Sequence, residues 1–287
     1  MSRGAALATV TTWHTAPTCG GDTATIERLA SRVSERPDLA DVAPFWLAIY
    51  EVQVGARQEL ASAWPGLLWR VRRERIASGQ PQLDFEDLQV TAGPLDELVR
   101  QLEQAWRRFD PDRPPVQADW PARLRSVFAD PTLSFGQRRD LAFADALALL
   151  GLVPYLEWAA AAVVPALQEY APEWSWGRCP VCGGYPDLAV LFGDPPQRSL
   201  ICSRCSSAWP FHRVGCPFCR DTQEQAYCEG EDSPYRLYLC GACRRYLKTV
   251  DARKVDPVDP RVERLVTIGM DLAALEAGYG PQQTGEA

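Results

Sequence analysis

Histidine is almost missing from this chain: only His14 and His212 occur in 287 residues. That scarcity removes the commonest general base and a common ligand of catalytic zinc, so ordinary hydrolytic chemistry is not expected. Neither a Gly-x-Gly-x-x-Gly turn, nor a Walker loop, nor a serine nucleophile elbow occurs, which removes the usual phosphate cradles and acyl-transfer sites. No pair of carboxylates is set by spacing into a cleft. Residues 1–10 lack the apolar core of a signal peptide, and no run reads as a bilayer span. The expectation is a cytoplasmic protein that does not insert into membranes and is not an enzyme.

A basic stripe is also lacking. The net charge is −7, and residues 1–175 hold 17 basic against 23 acidic side chains. Residues 176–250 reverse the balance only slightly, with 9 against 7. Four thiolates around a divalent ion leave a site at about −2, so this region is not cationic either. Nucleic-acid binding wants a basic face, and none is expected here.

Cysteine is what the chain has instead. Eight of its ten cysteines form four Cys-x2-Cys pairs: Cys179/Cys182, Cys202/Cys205, Cys216/Cys219 and Cys240/Cys243. Each such turn puts two thiolates on one side of a tight loop, and two turns together make a four-sulfur cage for zinc or iron. Nineteen residues separate the first two pairs and twenty the last two, the loop length of a ribbon-type site. The plan repeats: Cys-Pro-Val-Cys-Gly-Gly at 179–184 returns as Cys-Pro-Phe-Cys-Arg-Asp at 216–221. A cross-braced pairing, first with third and second with fourth, fits the same residues. Sites of this kind are mostly structural staples, and in a reducing compartment such arrays persist as metal ligands rather than disulfides.

The rest of the chain divides around this array. Residues 1–24 read as a frayed N-terminus containing His14 and Cys19. From Ile26 the periodicity is helical; apolar residues recur at three- and four-residue spacing around 45–52, until Pro65-Gly66. Leu95, Leu98, Val99, Leu102 and Trp106 share one face of a second segment. Residues 137–170 predict two helices joined near 151–154, the second too apolar for a surface. The helical domain spans 25–173. Ribbons follow at 174–212 and 213–256, with strands expected at 187–192, 198–202, 209–214, 235–240 and 245–250. The Gly183-Gly184 pair suits a positive φ after the first knuckle. The region 257–287 holds a last helix over 259–277, capped by Asp259, opened by Pro260 and closed by Gly278. Cys228 is expected to be a buried strand cysteine, and His212 a neighbour of a metal site or a partner contact. The fold class is α+β: an all-α N-terminal domain, two tandem rubredoxin-like or zinc-ribbon modules, and a C-terminal helix.

One set of residues carries a family resemblance. The stretch Trp176-Gly-Arg-Cys-Pro-Val-Cys-Gly-Gly-Tyr-Pro186, then Leu200-Ile-Cys-Ser-Arg-Cys205, Trp209, Arg213-Val-Gly-Cys216 and Cys240-Gly-Ala-Cys-Arg-Arg-Tyr-Leu-Lys248 resembles the formate dehydrogenase accessory proteins of the FdhE type. The tail at 262–279 is similar too. Where the family often has a histidine after the tryptophan, this chain has Pro210. The resemblance implies a cytoplasmic biogenesis factor that binds the immature molybdenum- or tungsten-containing catalytic subunit of formate dehydrogenase and aids its activation. It also implies two metal ions, iron or zinc, one held by Cys179, Cys182, Cys202 and Cys205 and the other by Cys216, Cys219, Cys240 and Cys243. Trp209, Arg213 and Tyr246 are candidate partner contacts, because arginine and aromatic residues dominate interface hot spots. The competing readings are a nucleic-acid-binding zinc-ribbon protein, which the acidic balance opposes, and a rubredoxin-like redox protein, which needs iron.

Overall fold

A 25-residue helix that is apolar on every face is stable in water only inside other elements, and this requirement organises the N-terminal half. The computed structural model describes residues 22–34, 36–65, 68–133, 141–231, 233–255 and 258–280; His14 and Cys19 lie outside them. Six helices come first: α1 (Asp22–Ser34), α2 (Ala43–Ala63), α3 (Arg73–Ala77), α4 (Ala92–Arg107), α5 (Trp120–Ala129) and α6 (Phe143–Leu167). The long α6 is the apolar one, and α2, α4 and α5 pack around it. The segment Phe143–Tyr170 is long and apolar enough to cross a bilayer by length and composition, which corrects the expectation that no run was. Its apolar window is 83 % buried inside the fold, as befits a core helix.

The expected break near 151–154 is absent: α6 runs straight through Pro154. Proline in a helix interior removes one backbone hydrogen bond, but Leu152, Tyr155 and Leu156 around it are buried in the hydrophobic core, and that packing outweighs the loss. The predicted face of α4 is confirmed, with Leu95, Leu98, Val99 and Leu102 buried and Trp106 packed beside them. Helix α5 gave no clear sequence signal among the surrounding prolines. Asp119 starts it by accepting from the Ala122 N–H at 3.0 Å.

Six strands follow among the described residues: β1 (Pro186–Phe192), β2 (Gln197–Cys202), β3 (Ala208–Phe211), β4 (Gln225–Glu229), β5 (Tyr235–Cys240) and β6 (Tyr246–Asp251). They form one sheet in the order β3-β2-β1-β6-β5-β4, rather than two separate ribbons. Neighbours are antiparallel except β1 and β6, which run parallel, with Leu188 beside Lys248 and Leu191 beside Asp251. Each ribbon contributes its strands in the order third, second, first. The third strand of the second ribbon therefore seals the first strand of the first ribbon, and β3 and β4 become the edges. Strand β4 was not predicted; its residues Gln225–Glu229 are largely exposed and lack an apolar alternation. Cys228 lies on this edge and is exposed, correcting the expectation that it is buried.

Instead of one C-terminal helix there are two, α7 (Pro260–Val266) and α8 (Ile268–Glu276). The break is at Thr267, whose hydroxyl donates to the Glu263 carbonyl at 2.6 Å and so competes with the helical ladder. The cap residues match expectation: Asp259 accepts from the Arg261 N–H at 3.0 Å, and Gly278 adopts φ +78° past the end of α8. These helices fold back on the N-terminal half. Val262, Leu265 and Val266 pack with Leu29, Leu39, Ala43 and Tyr50, while Asp259 accepts from Thr25 at 2.6 Å and pairs with Arg28 at 2.8 Å.

Buried charges fasten the three parts together. Glu157 of α6 accepts from Arg57 of α2 at 2.8 Å and from Arg261 of α7. Arg264 grips Asp187 through two bonds of 2.7 and 3.0 Å. Lys248 and Tyr246 of β6 both donate to Asp271 of α8, at 2.6 and 2.8 Å. Removing one partner of a buried pair leaves an uncompensated charge and typically costs about 3–5 kcal/mol. Glu157→Ala should therefore lower stability by about that amount, read as a fall in urea midpoint with unchanged slope. A change below about 1 kcal/mol would show that the two guanidiniums find other acceptors.

Candidate metal centres

All four Cys-x2-Cys turns have the same backbone. The N–H of the first cysteine donates to the carbonyl five residues on: Cys179 to Gly184, Cys202 to Ser207, Cys216 to Asp221 and Cys240 to Arg245, at 2.8–3.0 Å. The N–H four residues on donates back to that cysteine: Gly183 to Cys179, Ser206 to Cys202, Arg220 to Cys216 and Arg244 to Cys240, at 2.9–3.2 Å. The residue making the return bond has positive φ in every case, +77° at Gly183 and +55° to +65° at Ser206, Arg220 and Arg244. The glycine foreseen at 183 is thus one of four equivalent positions, and the other three accept left-handed backbone without glycine. A hydrogen bond or ring contact attends each: Ser206 Oγ accepts from Arg264 at 3.0 Å, Arg220 lies 4.8 Å over Trp176 and Arg244 4.2 Å over Tyr279.

The knuckles meet in consecutive pairs. The Sγ atoms of Cys179, Cys182, Cys202 and Cys205 all lie within 4.8 Å of one another, as do those of Cys216, Cys219, Cys240 and Cys243. The short approaches are Cys179–Cys205 and Cys182–Cys202 at 3.5 Å, and Cys216–Cys243 and Cys219–Cys240 at 3.6 Å. In a tetrahedral zinc–thiolate site with bonds near 2.3 Å, the sulfurs stand about 3.8 Å apart. Both groups are the right size and chemistry to hold a metal ion, and the cross-braced alternative is not what the chain adopts. Backbone donors point at the sulfurs, as second-shell groups of metal sites do; the Arg204 N–H lies 3.4 Å from Cys202 Sγ.

The two groups differ in depth. Every cysteine of the first is buried, within the same hydrophobic cluster as α4 and α6. Burial pushes the Cys179 and Cys205 thiols well up, while hydrogen bonds from the other three sulfurs pull Cys182 down. In the second group Cys219 reaches the surface. Cys216 is held down at about 5 by a hydrogen bond from Cys243, with backbone N–H groups of Cys219 and Phe218 assisting. Cys243 is raised in turn by that bond, and Cys219 is raised by burial. Thiols this crowded ionise unevenly unless a cation joins them.

Arginines surround both groups. Arg204 donates to the Val127 and Phe128 carbonyls at 3.1 Å, tying the second knuckle to α5. Arg264 donates to the Cys202 carbonyl at 2.6 Å. Arg245 lies 4.5 Å over Tyr185 and 4.6 Å over Phe218, between the two cages. Close approach is enforced at Gly177, where an added Cβ would sit 1.7 Å from the Pro217 carbonyl oxygen. Arg264 carried no sequence signal, because it lies some sixty residues from the knuckle it supports.

Two of the three expected partner contacts are inside the protein. Trp209 is 0 % exposed and donates to the Trp176 carbonyl at 3.2 Å; Tyr246 is buried with its hydroxyl on Asp271. Both large side chains fill the space between ribbon and helices, which corrects their reading as surface contacts. Arg213 is exposed beside Val214, which is 68 % exposed. His212 belongs to neither cysteine group; its ring lies 3.9 Å from that of Phe211, and burial lowers its pKa.

If each group holds one metal ion, a chelator should strip the site with the exposed Cys219 first and the buried site later. Metal release should then show two phases of equal amplitude. A single phase for both equivalents would mean that depth does not control loss.

No family model matches the chain. The protein FdhE homologue of Edwardsiella ictaluri is 35 % identical over 105 residues, 35 % of this chain and 34 % of that protein. The FdhE homologue of Aquifex aeolicus is 27 % identical over 113 residues, 37 % and 40 % of the two chains. The chain therefore spans only about a third to two fifths of the length of these curated relatives. The crystal structure of the FdhE protein from Pseudomonas aeruginosa superposes with a TM-score of 0.68 at 20 % identity, covering 93 % of this chain and 95 % of that one. The likeness to FdhE homologues thus covers about a third of the chain, and the fold is common to the FdhE protein of Pseudomonas aeruginosa over nearly all of it.

Proposed function

We propose that this protein is a cytoplasmic accessory factor for formate dehydrogenase, binding the immature catalytic subunit and aiding its activation, without catalysing a reaction itself. The observation that carries this reading is the pair of four-cysteine groups in a fold common to the FdhE protein of Pseudomonas aeruginosa. Four inward-turned sulfurs leave no open coordination position for a substrate, so the centres suit holding a surface in shape rather than turning over a small molecule. Cys179, Cys182, Cys202 and Cys205 hold one metal ion, and Cys216, Cys219, Cys240 and Cys243 the other. Iron or zinc meets the same donor set; iron would add a one-electron couple that zinc lacks. The first cage braces the junction of ribbon and helices, and the second holds the outer half of the sheet. Arg213 and Val214, exposed on the link between the ribbons, are contact candidates.

A rubredoxin-like redox role is the second reading, favoured by the exposed Cys219, since an electron must reach the surface. Visible ferric-tetrathiolate absorption in protein purified without oxygen and then oxidised by air would support it. The main reading is tested by anaerobic affinity capture of the tagged protein from cytosol. The formate dehydrogenase catalytic subunit should be recovered and should be lost when Cys179 and Cys216 are both changed to Ser. Recovery of nucleic acid or RNA polymerase in its place would overturn the accessory reading.

A further inference from the structure

Between α2 and α4, on the helical part and away from both cysteine groups, lies a groove of about 280 Å³. Its apolar walls include Leu60 and Leu98, and its polar groups include Glu59, Glu97 and Tyr155, with Trp64 at the end of α2. None of its lining residues is basic. Tyr155 is only 2 % exposed, yet its hydroxyl has no hydrogen-bond partner among the described residues. Tyr155 lines the groove, so an incoming donor can meet that oxygen. Glu59 is exposed and has no ion pair among the described residues, and its charge bears on Tyr155, which burial chiefly pushes up to about 12. Glu97 is already engaged by Arg100 and Gln101. Trp64 is 46 % exposed, an unusual state for so large an apolar ring.

We infer that this groove is a docking site for a basic side chain, arginine above all, presented by a partner polypeptide. Each unfilled feature matches one part of that group. The stem lies along Leu60 and Leu98, the guanidinium faces the Trp64 ring and the Glu59 carboxylate, and a planar fork can reach the Tyr155 oxygen as acceptor. The end of α2 adds to the attraction, because its last turn holds no basic residue against the partial negative charge of the helix C-terminus. The opposing charge at the start of α4 fades within its first turn, and Glu97 stands beyond it. The acidic balance of residues 1–175 steers a basic segment toward this side. The inference rests on the accessory reading only for which polypeptide supplies the segment.

The test uses the full-length metal-loaded protein labelled with 5-fluorotryptophan, with the Trp64 resonance assigned through Trp64→Phe. The probes are acetyl-Ala-Leu-Arg-Leu-Ala-amide and its citrulline counterpart, which keeps the shape and removes the charge. The arginine peptide should shift the Trp64 fluorine signal saturably, and the citrulline peptide should bind about tenfold more weakly. Glu59→Gln should weaken arginine-peptide binding by about fivefold or more, with metal content unchanged. Tyr155→Phe removes only an unpartnered hydroxyl, so it should fold normally and weaken binding about threefold. Equal binding of the two peptides, no binding of either, or indifference to Glu59→Gln overturns the proposal. Because no formate dehydrogenase is present, failure here leaves the capture experiment to judge the accessory reading separately.

Discussion

Sulfur carrying negative charge inside a protein must be met by a cation or by hydrogen-bond donors, and four such sulfurs within 4.8 Å intensify the demand. The first cysteine group makes it within the main hydrophobic cluster, where Cys179, Cys182, Cys202 and Cys205 are surrounded by helical side chains and by Trp209. The arrangement around it answers that demand: knuckle N–H groups aimed at sulfur, Arg204 tied to α5, and Arg264 reaching from α7 to the Cys202 carbonyl. The helices and the ribbon are therefore joined through the surroundings of this centre. Losing it would open the core itself, whereas losing the second group would loosen the outer sheet.

The ion pairs follow the same logic at longer range. Glu157 is shared by helices from the beginning, middle and end of the chain, and Asp271 gathers Lys248 and Tyr246 from β6. Such buried charges are weak sources of net stability, because desolvation offsets much of the attraction. Their value here is geometric: a displaced α7 or α8 would strand a charge. The C-terminal helices are in this way held to one position over both the helical bundle and the sheet.

Local rules made much of this legible in the sequence. Knuckle spacing named the eight sulfurs though not their pairing, the Asp259-Pro260 start gave the cap of α7, and five of six strands were visible from their β-rich texture. Features set by distant partners were not. The parallel pairing of β1 with β6 joins residues some sixty apart, and no periodicity announces it. Pro154 suggested a break that surrounding helices suppress, and Thr267 made one where the apolar pattern continued. Trp209 and Tyr246 looked like contact residues by type, but burial is decided by what packs above a strand. Strand β4, with Ala226, Tyr227, Cys228 and Glu229 exposed, was hidden because a surface edge needs no apolar face.

The stacking of the ribbons in one direction has a last consequence. A repeat that adds to its neighbour by translation rather than by a two-fold axis is an open assembly, able in principle to continue without limit. Here β4 presents the kind of edge that β1 presented to β6, so a β3 from another molecule would be the geometric next member. The chain ends that series itself. With Cys202 and Ser207 hydrogen-bonded and Ser199 opposite Pro210, alternation along β2 and β3 turns the nitrogen of residue 210 to the outer edge. Proline has no hydrogen there to give, so the outer edge of β3 offers a further strand one donor fewer.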